Sequence, residues 1–267
     1  MPHRGVVNPP STMTVWHPET YLKYANIRFR AALDLIERIP LGRCERAYDL
    51  GCGTGHLTQA LQERWPEARI TGVDSSAEML SHARGEFPKI EWVQADLTSW
   101  RADAPADLLF SNATFQWVPD HEHLLPSLLG QVRKGGFFAM QMPRHIESPG
   151  HLLLLETARE ERWRERLLPV TLGLVVHTPE QYWRWISPHA SRVDIWETIY
   201  QHELEGENPV VEFFRGTQLR PYVQALSEDE AREFVAAYAG RIARAFPEQA
   251  NGKTLFPFRR IFIIAER

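Results

Sequence analysis

The strongest chemical signal in the sequence is a glycine-rich turn with a carboxylate at its start. The segment DLGCGTG holds Asp49 followed by Gly51, Gly53 and Gly55, and it lies between a short apolar run and the helical pattern HLTQALQERW. Alternating glycines let the backbone turn tightly and approach a ligand closely, while the helix that follows offers unsatisfied N–H groups. This context predicts a ligand site, with a purely structural glycine turn as the alternative.

A second carboxylate indicates which kind of ligand the turn would hold. Asp74 lies 19 residues after Gly55, at the end of the next predicted strand, where a carboxylate can accept both ribose hydroxyls of a nucleoside. The dinucleotide motif G-x-G-x-x-G does not match because position 56 is His56, and the carboxylate of Asp49 would repel a pyrophosphate. The spacing therefore predicts a nucleoside ligand that carries positive charge.

These residues need strands that end at one edge of a sheet, and the sequence alternates between strand and helix patterns. The predicted strands are 47–50, 68–74, 90–96, 107–112, 135–142, 192–204 and 258–267. The predicted helices are 18–39, 56–65, 75–87, 120–133, 149–166, 179–187, 209–216 and 228–245. This alternation predicts an α/β fold, a doubly wound and mostly parallel seven-stranded sheet of Rossmann-like type.

The late connections of this sheet are long and rich in helix, and we expect them to form a cap over the ligand. The expected divisions are a flexible tail (1–15), an α/β domain (16–144 with 191–202 and 257–267) and a helical cap (145–190 with 203–256). A cap of this kind covers the carboxyl ends of the strands, where ligands of α/β sheets bind.

The composition excludes several classes of partner. The 267 residues include 30 Lys and Arg against 34 Asp and Glu, a net charge of −4, and no basic run indicates a nucleic-acid surface. Two cysteines, Cys44 and Cys52, are too few for a disulfide-stapled fold or a four-cysteine zinc site. No segment has the form of a signal peptide or reaches the roughly 18 apolar residues that span a bilayer, so we expect a cytoplasmic protein without a membrane partner.

The turn and its acid resemble the first motif of the class I S-adenosylmethionine-dependent methyltransferases, which is acid-x-G-x-G-x-G. The donor of that family carries an ammonium, a sulfonium and no phosphate, in agreement with the charge that the spacing predicts. The resemblance implies S-adenosylmethionine as cofactor, S-adenosylhomocysteine as product and no metal. It implies these cofactor-binding residues: Asp49, Gly51, Gly53, Gly55, Asp74, Ser75, Asp96, Leu97, Asn112 and Ala113.

Two parts of this set follow later strands. In the family, an acid after the third strand approaches the adenine amino group, and Asp96 with the backbone of Leu97 matches it. The end of the fourth strand faces the methionine part of the donor, and Asn112-Ala113 matches that position. Taken alone, Asp96 could instead cap a helix and Asn112 could form a turn.

A helix near the amino terminus supplies two more candidates. Tyr21, Tyr24 and Arg28 have the spacing i, i+3 and i+7 and therefore share one face. Similar methyltransferases fold such a helix over the donor and use its arginine against the methionine carboxylate, which implies that Tyr24 and Arg28 bind the cofactor. A solvated arginine on an exposed helix face is the alternative.

Beyond the donor motifs, nearly the whole chain resembles one branch of this class, the bacterial trans-aconitate 2-methyltransferases. The resemblance is most telling in SNATFQWVPDH (111–121), QMPRH (141–145) and TQLRPY (217–222), in and beside the expected cap. It implies methyl transfer to one carboxylate of trans-aconitate, a small polycarboxylate partner. The implied substrate-binding residues are Trp117, Arg144, His145, Arg215, Arg220, Tyr222 and Arg259.

A polycarboxylate acceptor sets requirements that the residues can be tested against. A protein of net charge −4 must gather cations locally to bind it, and the arginine fork meets a carboxylate through two hydrogen bonds. We therefore expect three or more of the arginines at 144, 215, 220, 259 and 260 to converge, although any one of them could be exposed instead. A carboxylic acid with a pKa of about 4 is already ionised at neutral pH, so no catalytic acid or base is nominated.

Two other groups of reactive side chains have simpler explanations. Asp120-His121-Glu122-His123 holds three kinds of metal ligand, but it opens a helix with Asp120 as the expected N-cap. Cys52 is expected to be a small filler and no nucleophile. Other functions stay open: a carboxyl methyltransferase for malonyl on acyl carrier protein, a non-catalytic S-adenosylmethionine-binding module, or a nucleic-acid methyltransferase. The sequence does not predict an oligomeric state.

Overall fold

The structure, a computed structural model, describes residues 25–144, 146–170 and 173–267. For residues 25–28 it describes the backbone but not the side chains. The helices are α1 (Ala25–Arg38), α2 (His56–Arg64), α3 (Ala77–Glu86), α4 (His121–Leu129), α5 (Pro149–Ala158), α6 (Glu161–Leu167), α7 (Pro179–Ile186), α8 (Pro209–Arg215), α9 (Arg220–Gln224) and α10 (Glu228–Ala245). The strands are β1 (Arg46–Leu50), β2 (Arg69–Asp74), β3 (Glu91–Gln94), β4 (Ala106–Asn112), β5 (Val132–Pro143), β6 (Arg192–Leu204) and β7 (Thr254–Glu266).

The strands form one seven-stranded sheet in the order β3-β2-β1-β4-β5-β7-β6, which confirms the predicted fold class. Strands β1 to β5 run parallel, whereas β7 pairs antiparallel with both β5 and β6. The pairing of β5 with β7 stops at Pro143 opposite Arg260, but β6 and β7 stay paired as far as Leu204 opposite Thr254. The β6–β7 hairpin therefore extends past the carboxyl ends of the parallel strands.

Alternate residues of each strand point to opposite faces of the sheet, and both faces are covered. On one face, Ala47, Phe110, Ala139 and Phe262 pack with Ala31, Ala32 and Leu35 of α1. On the other face, Leu50, Leu109, Met140 and Ile261 pack with Leu124 and Leu128 of α4. These are called the α1 face and the α4 face. Because both faces are buried, the central strands are continuously apolar rather than alternating.

The helices of the cap enclose a hydrophobic cluster of their own. Its members come from α5, α6, α8, α9 and α10 and from the extended hairpin: they include Leu154, Trp163, Phe214, Tyr222, Phe234, Tyr238, Leu204, Phe256 and Phe258. Leu204, Phe256 and Phe258 attach this cluster to the hairpin. The extension of β7 begins at Thr254, four residues before the predicted strand, because these alternating aromatic residues face the cap.

Other elements differ from the sequence predictions in detail. The helix predicted over 149–166 is divided between α5 and α6, and the short helix α9 begins with Arg220-Pro221. The expected domain divisions group α7 with the cap, but Tyr182 and Ile186 of α7 pack on the α4 face of the sheet. Among the described helices, none combines the length and the apolar character needed to cross a membrane.

Candidate functional site

The glycine-rich turn follows β1, and its glycines adopt conformations that other residues avoid. The φ angles of Gly51, Gly53 and Gly55 are 78°, 56° and 86°. A Cβ on Gly51 would lie 2.2 Å from the side chain of Thr114, and one on Gly55 would lie 2.4 Å from the ring of Trp92. Both positions thus require glycine for conformation and for space.

The N–H groups of this turn donate within the protein. Gly51 and Cys52 both donate to the carbonyl of Val73, at 2.7 and 3.0 Å. Gly53 donates to Oδ2 of Asp74 at 2.9 Å, and Gly55 donates to the carbonyl of Cys52 at 3.0 Å. A phosphate-binding loop instead directs successive N–H groups toward its ligand. The turn is therefore not built as a phosphate cradle, in agreement with the prediction from its spacing.

Two carboxylates give the ends of β1 and β2 an anionic character. Asp49 is 1% exposed and accepts a hydrogen bond from the hydroxyl of Thr58 at 2.6 Å. Burial, with the charge of Asp74 in addition, raises the pKa of Asp49 to about 7 against the opposing effect of Thr58. A cationic ligand beside this carboxyl would favour its ionised form. The residues present therefore fit S-adenosylmethionine, whose charges are positive at the ammonium and sulfonium.

The remaining candidates around β2 and β3 are placed as follows. Asp74 also accepts from the N–H of Ser76 at 2.8 Å, so both of its oxygens have backbone donors, and Ser75 is exposed. Asp96 is exposed and its Oδ1 accepts from the N–H and hydroxyl of Thr98, at 2.9 and 2.7 Å. Asp96 therefore stabilises a turn and does not cap a helix, which was the alternative left open for it, and its adenine contact stays a prediction. Leu97 buries its side chain on the α4 face.

The loop after β4 joins the glycine turn to the sheet. Ala113 has a φ of 52° and donates to the carbonyl of Gln141 at 2.9 Å. The hydroxyl of Thr114 donates to the carbonyl of Gly51 at 3.2 Å. Gln116 donates to the carbonyl of Ala113 at 2.7 Å, while its own buried Oε1 has no hydrogen-bond partner among the described residues. The end of β4 is therefore fixed in place by contacts from both sides.

A buried row of polar side chains leads from β4 across β5 to β7 on the α1 face. Arg260 donates from Nη1 to Oε1 of Gln141 at 3.1 Å, and Gln141 donates from Nε2 to Oδ1 of Asn112. The exposed fractions of Arg260, Gln141 and Asn112 are 2%, 1% and 7%. Because arginine can only donate, the orientation of both amides follows, and Asn112 is left with its NH₂ group as a donor at the strand end.

The predicted arginines do not all converge. Arg144 lies on the α4 face, with Nη1 3.0 Å from Glu197 and Nη2 3.6 Å from Glu147. Its N–H donates to the carbonyl of Arg259 at 2.9 Å, and strand alternation directs Arg259 to the face opposite Arg260. Strand geometry thus separates the guanidinium groups of Arg144 and Arg260, so the expected convergence at one point is not observed for this pair.

Candidates in the cap have other surroundings. Arg215 is about half exposed and pairs with Glu212 one turn earlier, at 2.8 Å. Arg220 is half-buried as the first residue of α9, and the described part of the chain gives it no ion pair. Tyr222, an implied substrate-binding residue, is 2% exposed with its ring stacked on Phe234, so its ring packs in the cap core.

The other predicted residues divide into two groups. Trp117 is half-buried in the single 3₁₀ turn Phe115–Trp117 that follows the β4 loop. Tyr24, His145 and the side chain of Arg28 lie outside the described residues, and so does the expected tail.

Cys52 and the segment 120–123, whose reactive side chains were expected to have structural roles, make contacts within the protein. Burial and the charges of Asp49 and Asp74 raise the pKa of the Cys52 thiol, so it is not activated as a nucleophile. Asp120 is the N-cap residue of α4, as predicted, but with a φ of 57° its side chain makes no capping hydrogen bond and contacts His123 at 2.7 Å. His121 is buried between Tyr182 and the carbonyl of Phe115.

Several residues of this region were not singled out as site residues from the sequence. They are Thr58, Trp92, Thr114 and Gln141. Thr58 lies within one turn of the glycine segment, and Gln141 within QMPRH, so proximity to a motif could have indicated both. Trp92 comes from another strand, and only the strand order reveals its contact with Gly55.

Comparisons with known proteins identify relatives of this chain. Residues 47–136 match the family described as Methyltransferase domain. The trans-aconitate 2-methyltransferase of Azoarcus sp. (strain BH72) is 46% identical over 255 residues, which cover 96% of this chain and 100% of the relative. The trans-aconitate 2-methyltransferase of Escherichia coli O7:K1 (strain IAI39 / ExPEC) is 39% identical over 255 residues, 96% of this chain and 99% of the relative.

Solved structures resemble the chain in fold. The YcgJ protein from Bacillus subtilis aligns with a TM-score of 0.57 and 17% identity, covering 89% of this chain and 98% of that protein. Phosphoethanolamine N-methyltransferase 2 of Haemonchus contortus, solved with phosphomonomethylethanolamine and S-adenosylhomocysteine, aligns with a TM-score of 0.54 and 15% identity over 89% of this chain and 52% of that chain. At these identities the similarity establishes the fold alone.

Proposed function

The chain belongs to the trans-aconitate 2-methyltransferase family, and from this premise we propose that it transfers the methyl group of S-adenosylmethionine to one carboxylate of trans-aconitate. The products are a monomethyl ester and S-adenosylhomocysteine. We place the reaction in the cytoplasm, since Cys44 and Cys52 are both buried free thiols.

The observation that supports this function is the separation of charge along the carboxyl edge of the sheet. The donor half consists of the ends of β1, β2 and β3 with the glycine turn, and it holds Asp49 and Asp74. The acceptor half consists of the ends of β5, β6 and β7, and it holds Arg260. Asn112 of β4 lies between them. A cationic donor and an anionic acceptor match these two halves in sign.

The chain contributes positioning and electrostatics and needs no general base. When bound, S-adenosylmethionine supplies an electrophilic methyl group on a sulfonium centre. The acceptor carboxylate, with a pKa of about 4, is ionised at neutral pH and can attack without losing a proton. Holding the two reacting atoms in line at roughly 3–3.5 Å supplies on the order of 7–11 kcal/mol. The cap helps by excluding water from the attacking carboxylate.

The assignment of individual residues is part of the proposal. For the donor we assign the glycine turn, with Asp49 supplying negative charge below it, Asp74 and Ser75 to the ribose, Asp96 and Leu97 to the adenine, and Asn112, Ala113, Tyr24 and Arg28 to the methionine part. For the acceptor we assign Trp117, Arg144, His145, Arg215, Arg220 and Arg259. The geometry gives most support to the glycine turn, since the side chains of Thr114 and Trp92 leave room only for glycine at positions 51 and 55.

The proposed function is tested with purified protein, labelled S-adenosylmethionine and a panel of small polycarboxylic acids. We expect label in an ester of trans-aconitate, identified by mass spectrometry, and no transfer to RNA or DNA. Transfer to malonyl on acyl carrier protein, without esterification of trans-aconitate, would show that the acceptor is wrong. Binding of S-adenosylhomocysteine without transfer to any acceptor would indicate a non-catalytic binding module.

A further inference from the structure

Asp49 is a buried carboxyl that has no positively charged partner among the described residues. It is 1% exposed, and the charge that acts on it is the carboxylate of Asp74, which has the same sign. Burying an unpaired carboxylate costs free energy, and such a group usually keeps its proton instead. The ionised form of Asp49 therefore depends on hydrogen bonding.

One hydroxyl supplies a hydrogen bond to this carboxyl. Thr58, the third residue of α2, is 0% exposed, and its Oγ1 donates to Oδ2 of Asp49 at 2.6 Å. A hydrogen bond that a carboxylate accepts is stronger than one that the neutral acid accepts, so this contact favours the ionised form. Because both groups are buried, bulk water does not compete for the bond.

The other elements around Asp49 do not stabilise its charge. Asp49 is on the α1 face, where β4 and α1 contribute apolar side chains. Asp74 of β2 repels it, and burial raises the pKa of the Cys52 thiol in the turn, which therefore stays neutral. His56, the titratable residue at the start of α2, pairs with Glu86 at 3.3 Å. Within the described part of the chain, the ionised form of Asp49 is thus favoured by Thr58.

This contact matters most at neutral pH. Burial raises the pKa of Asp49 to about 7, and the hydroxyl of Thr58 opposes the rise. About half of the ligand-free molecules then carry the negative charge at pH 7. Without the hydroxyl, Asp49 would be mainly protonated at this pH, and a cationic donor would meet a neutral carboxyl.

We propose that Thr58 is a positioning residue for the methyl donor: its hydroxyl holds Asp49 as an oriented carboxylate, so that the donor half stays anionic at neutral pH. Thr58 acts on the donor through the charge of Asp49 and needs no contact with the donor. This inference rests on the donor part of the proposed function, the binding of S-adenosylmethionine at the glycine turn, and it does not depend on the acceptor.

Variants of the full-length protein test the proposal. Thr58→Val removes the hydroxyl and keeps the branched shape, whereas Thr58→Ser keeps the hydroxyl. Thr157→Val is the matched control, because Thr157 is also 0% exposed in a helix and donates to the carbonyl of Leu153 at 2.7 Å in the cap. Calorimetry between about pH 6 and 8.5 gives the Kd of S-adenosylhomocysteine, which retains the ammonium. Thermal unfolding confirms that each variant is folded, and Thr58→Ala replaces the valine variant if that does not fold.

The expected result is a loss of affinity that depends on pH. At about pH 6 to 7 we expect Thr58→Val to bind S-adenosylhomocysteine about five- to tenfold more weakly, which corresponds to a rise of about one unit in the pKa of Asp49. At about pH 8.5 the carboxyl is mainly ionised in both proteins, so the difference should fall below about twofold. Thr58→Ser and Thr157→Val should stay within about twofold of the wild type throughout. A loss in Thr58→Val that is the same at every pH would show a structural role and overturn the proposal.

A neutral ligand and a second background separate charge from shape. 5′-Methylthioadenosine shares the nucleoside but has no ammonium and no sulfonium, so Thr58→Val should leave its Kd within about twofold of the wild type. In the Asp49→Asn background, which has no charge to stabilise, adding Thr58→Val should change S-adenosylhomocysteine binding less than about twofold. Equal losses for both ligands, or in both backgrounds, would contradict the proposal.

Failure of the inference and failure of the proposed function give different results. If the wild type does not bind S-adenosylhomocysteine, the proposed function fails and this inference fails with it. If the wild type binds it and Thr58→Val binds it equally well at every pH, this inference alone is wrong.

Discussion

The two halves of the sheet edge differ in how their polar contacts are assembled. In the donor half, the contacts join residues that are close along the chain: Thr58 bonds to Asp49 nine residues away, and Gly53 bonds to Asp74 21 residues away. In the acceptor half, Arg260 and Gln141 are 119 residues apart. They meet because β7 lies beside β5.

This difference has a physical consequence for specificity. A site made within one β-α-β unit has a fixed spacing, because the strand, turn and helix must follow one another directly. A site to which a strand distant in sequence contributes has no such constraint. Its residues can change without disturbing the glycine turn. The donor half can therefore stay the same in enzymes with many acceptors, while the acceptor half sets the choice among them.

The largest expected effect is at Gly51 in the donor half. Gly51→Ala places a Cβ 2.2 Å from Thr114 at a φ of 78°, so we expect binding of S-adenosylhomocysteine to weaken more than about 100-fold and the free energy of unfolding to fall by about 2–4 kcal/mol. Calorimetry and urea unfolding measure both. Gly42→Ala, with open space around it, is the control. Unchanged donor binding in Gly51→Ala would break the assignment of the turn.

The second expected effect is the pH dependence of Asp49. Its folded pKa of about 7 exceeds the unfolded value of about 3.9, so the ligand-free protein should lose stability as pH rises from about 4 to 7 and then level off. Asp49→Asn should remove this slope and be more stable at pH 8 by on the order of 2–4 kcal/mol, yet bind S-adenosylmethionine about tenfold more weakly. Urea unfolding across pH measures the slope, and an identical slope in both proteins would contradict the electrostatic account.

The third effect concerns Asp74. Asp74→Asn keeps one acceptor oxygen for two backbone donors, Gly53 and Ser76, so we expect S-adenosylhomocysteine to bind about 10- to 50-fold more weakly. The exposed Glu91→Gln on β3 is a matched loss of one charge. If trans-aconitate binding falls and donor binding does not, the division into two halves is wrong.

A smaller effect is expected at Arg220 in the cap. Arg220→Ala should raise the KM for trans-aconitate about 3- to 10-fold without changing the Kd of S-adenosylhomocysteine, because a half-buried guanidinium contributes less than a buried one. The exposed Arg232→Ala on α10 serves as the control. Steady-state kinetics at saturating donor give the comparison, and a rise in both constants would place Arg220 outside the acceptor half.

The smallest expected effect is on the pH profile of turnover. With both substrates saturating, kcat should be flat between about pH 6 and 9, because the acceptor carboxylate is ionised throughout and no base is used. A tenfold fall in kcat per pH unit below pH 7 would reveal a general base, and the mechanism would then need revision.

The donor half illustrates what the sequence can predict. Asp49, the three glycines and Asp74 follow from local spacing, because a β-α-β unit leaves few ways to arrange them. Even there, Trp92 was missed, since nothing in the sequence shows that its ring fills the space beside Gly55. The fold class also follows from the alternation of elements, whereas the strand order and the antiparallel position of β7 come from the structure.

The acceptor half illustrates what the sequence cannot predict. Alternation along a strand shows that neighbouring Arg259 and Arg260 point to opposite faces, but not which of the two faces holds the site. That choice depends on where the cap packs, and Phe256 and Phe258 fix the cap to the α1 face. The packing of Tyr222 in the cap core was not predicted for the same reason, since an aromatic ring suits a cavity wall and a cap core equally well.

The position of β7 also has a consequence for the order of synthesis. Strand β7 lies between β5 and β6, yet the ribosome makes it after both. Between Pro143 and Thr254 about 110 further residues are added, which takes on the order of 6–20 s, and during this time β5 has no partner on one edge. An unpaired edge is open to pairing with other chains. The nascent protein thus completes its cofactor pocket first, and its anion-binding side is the last part to form.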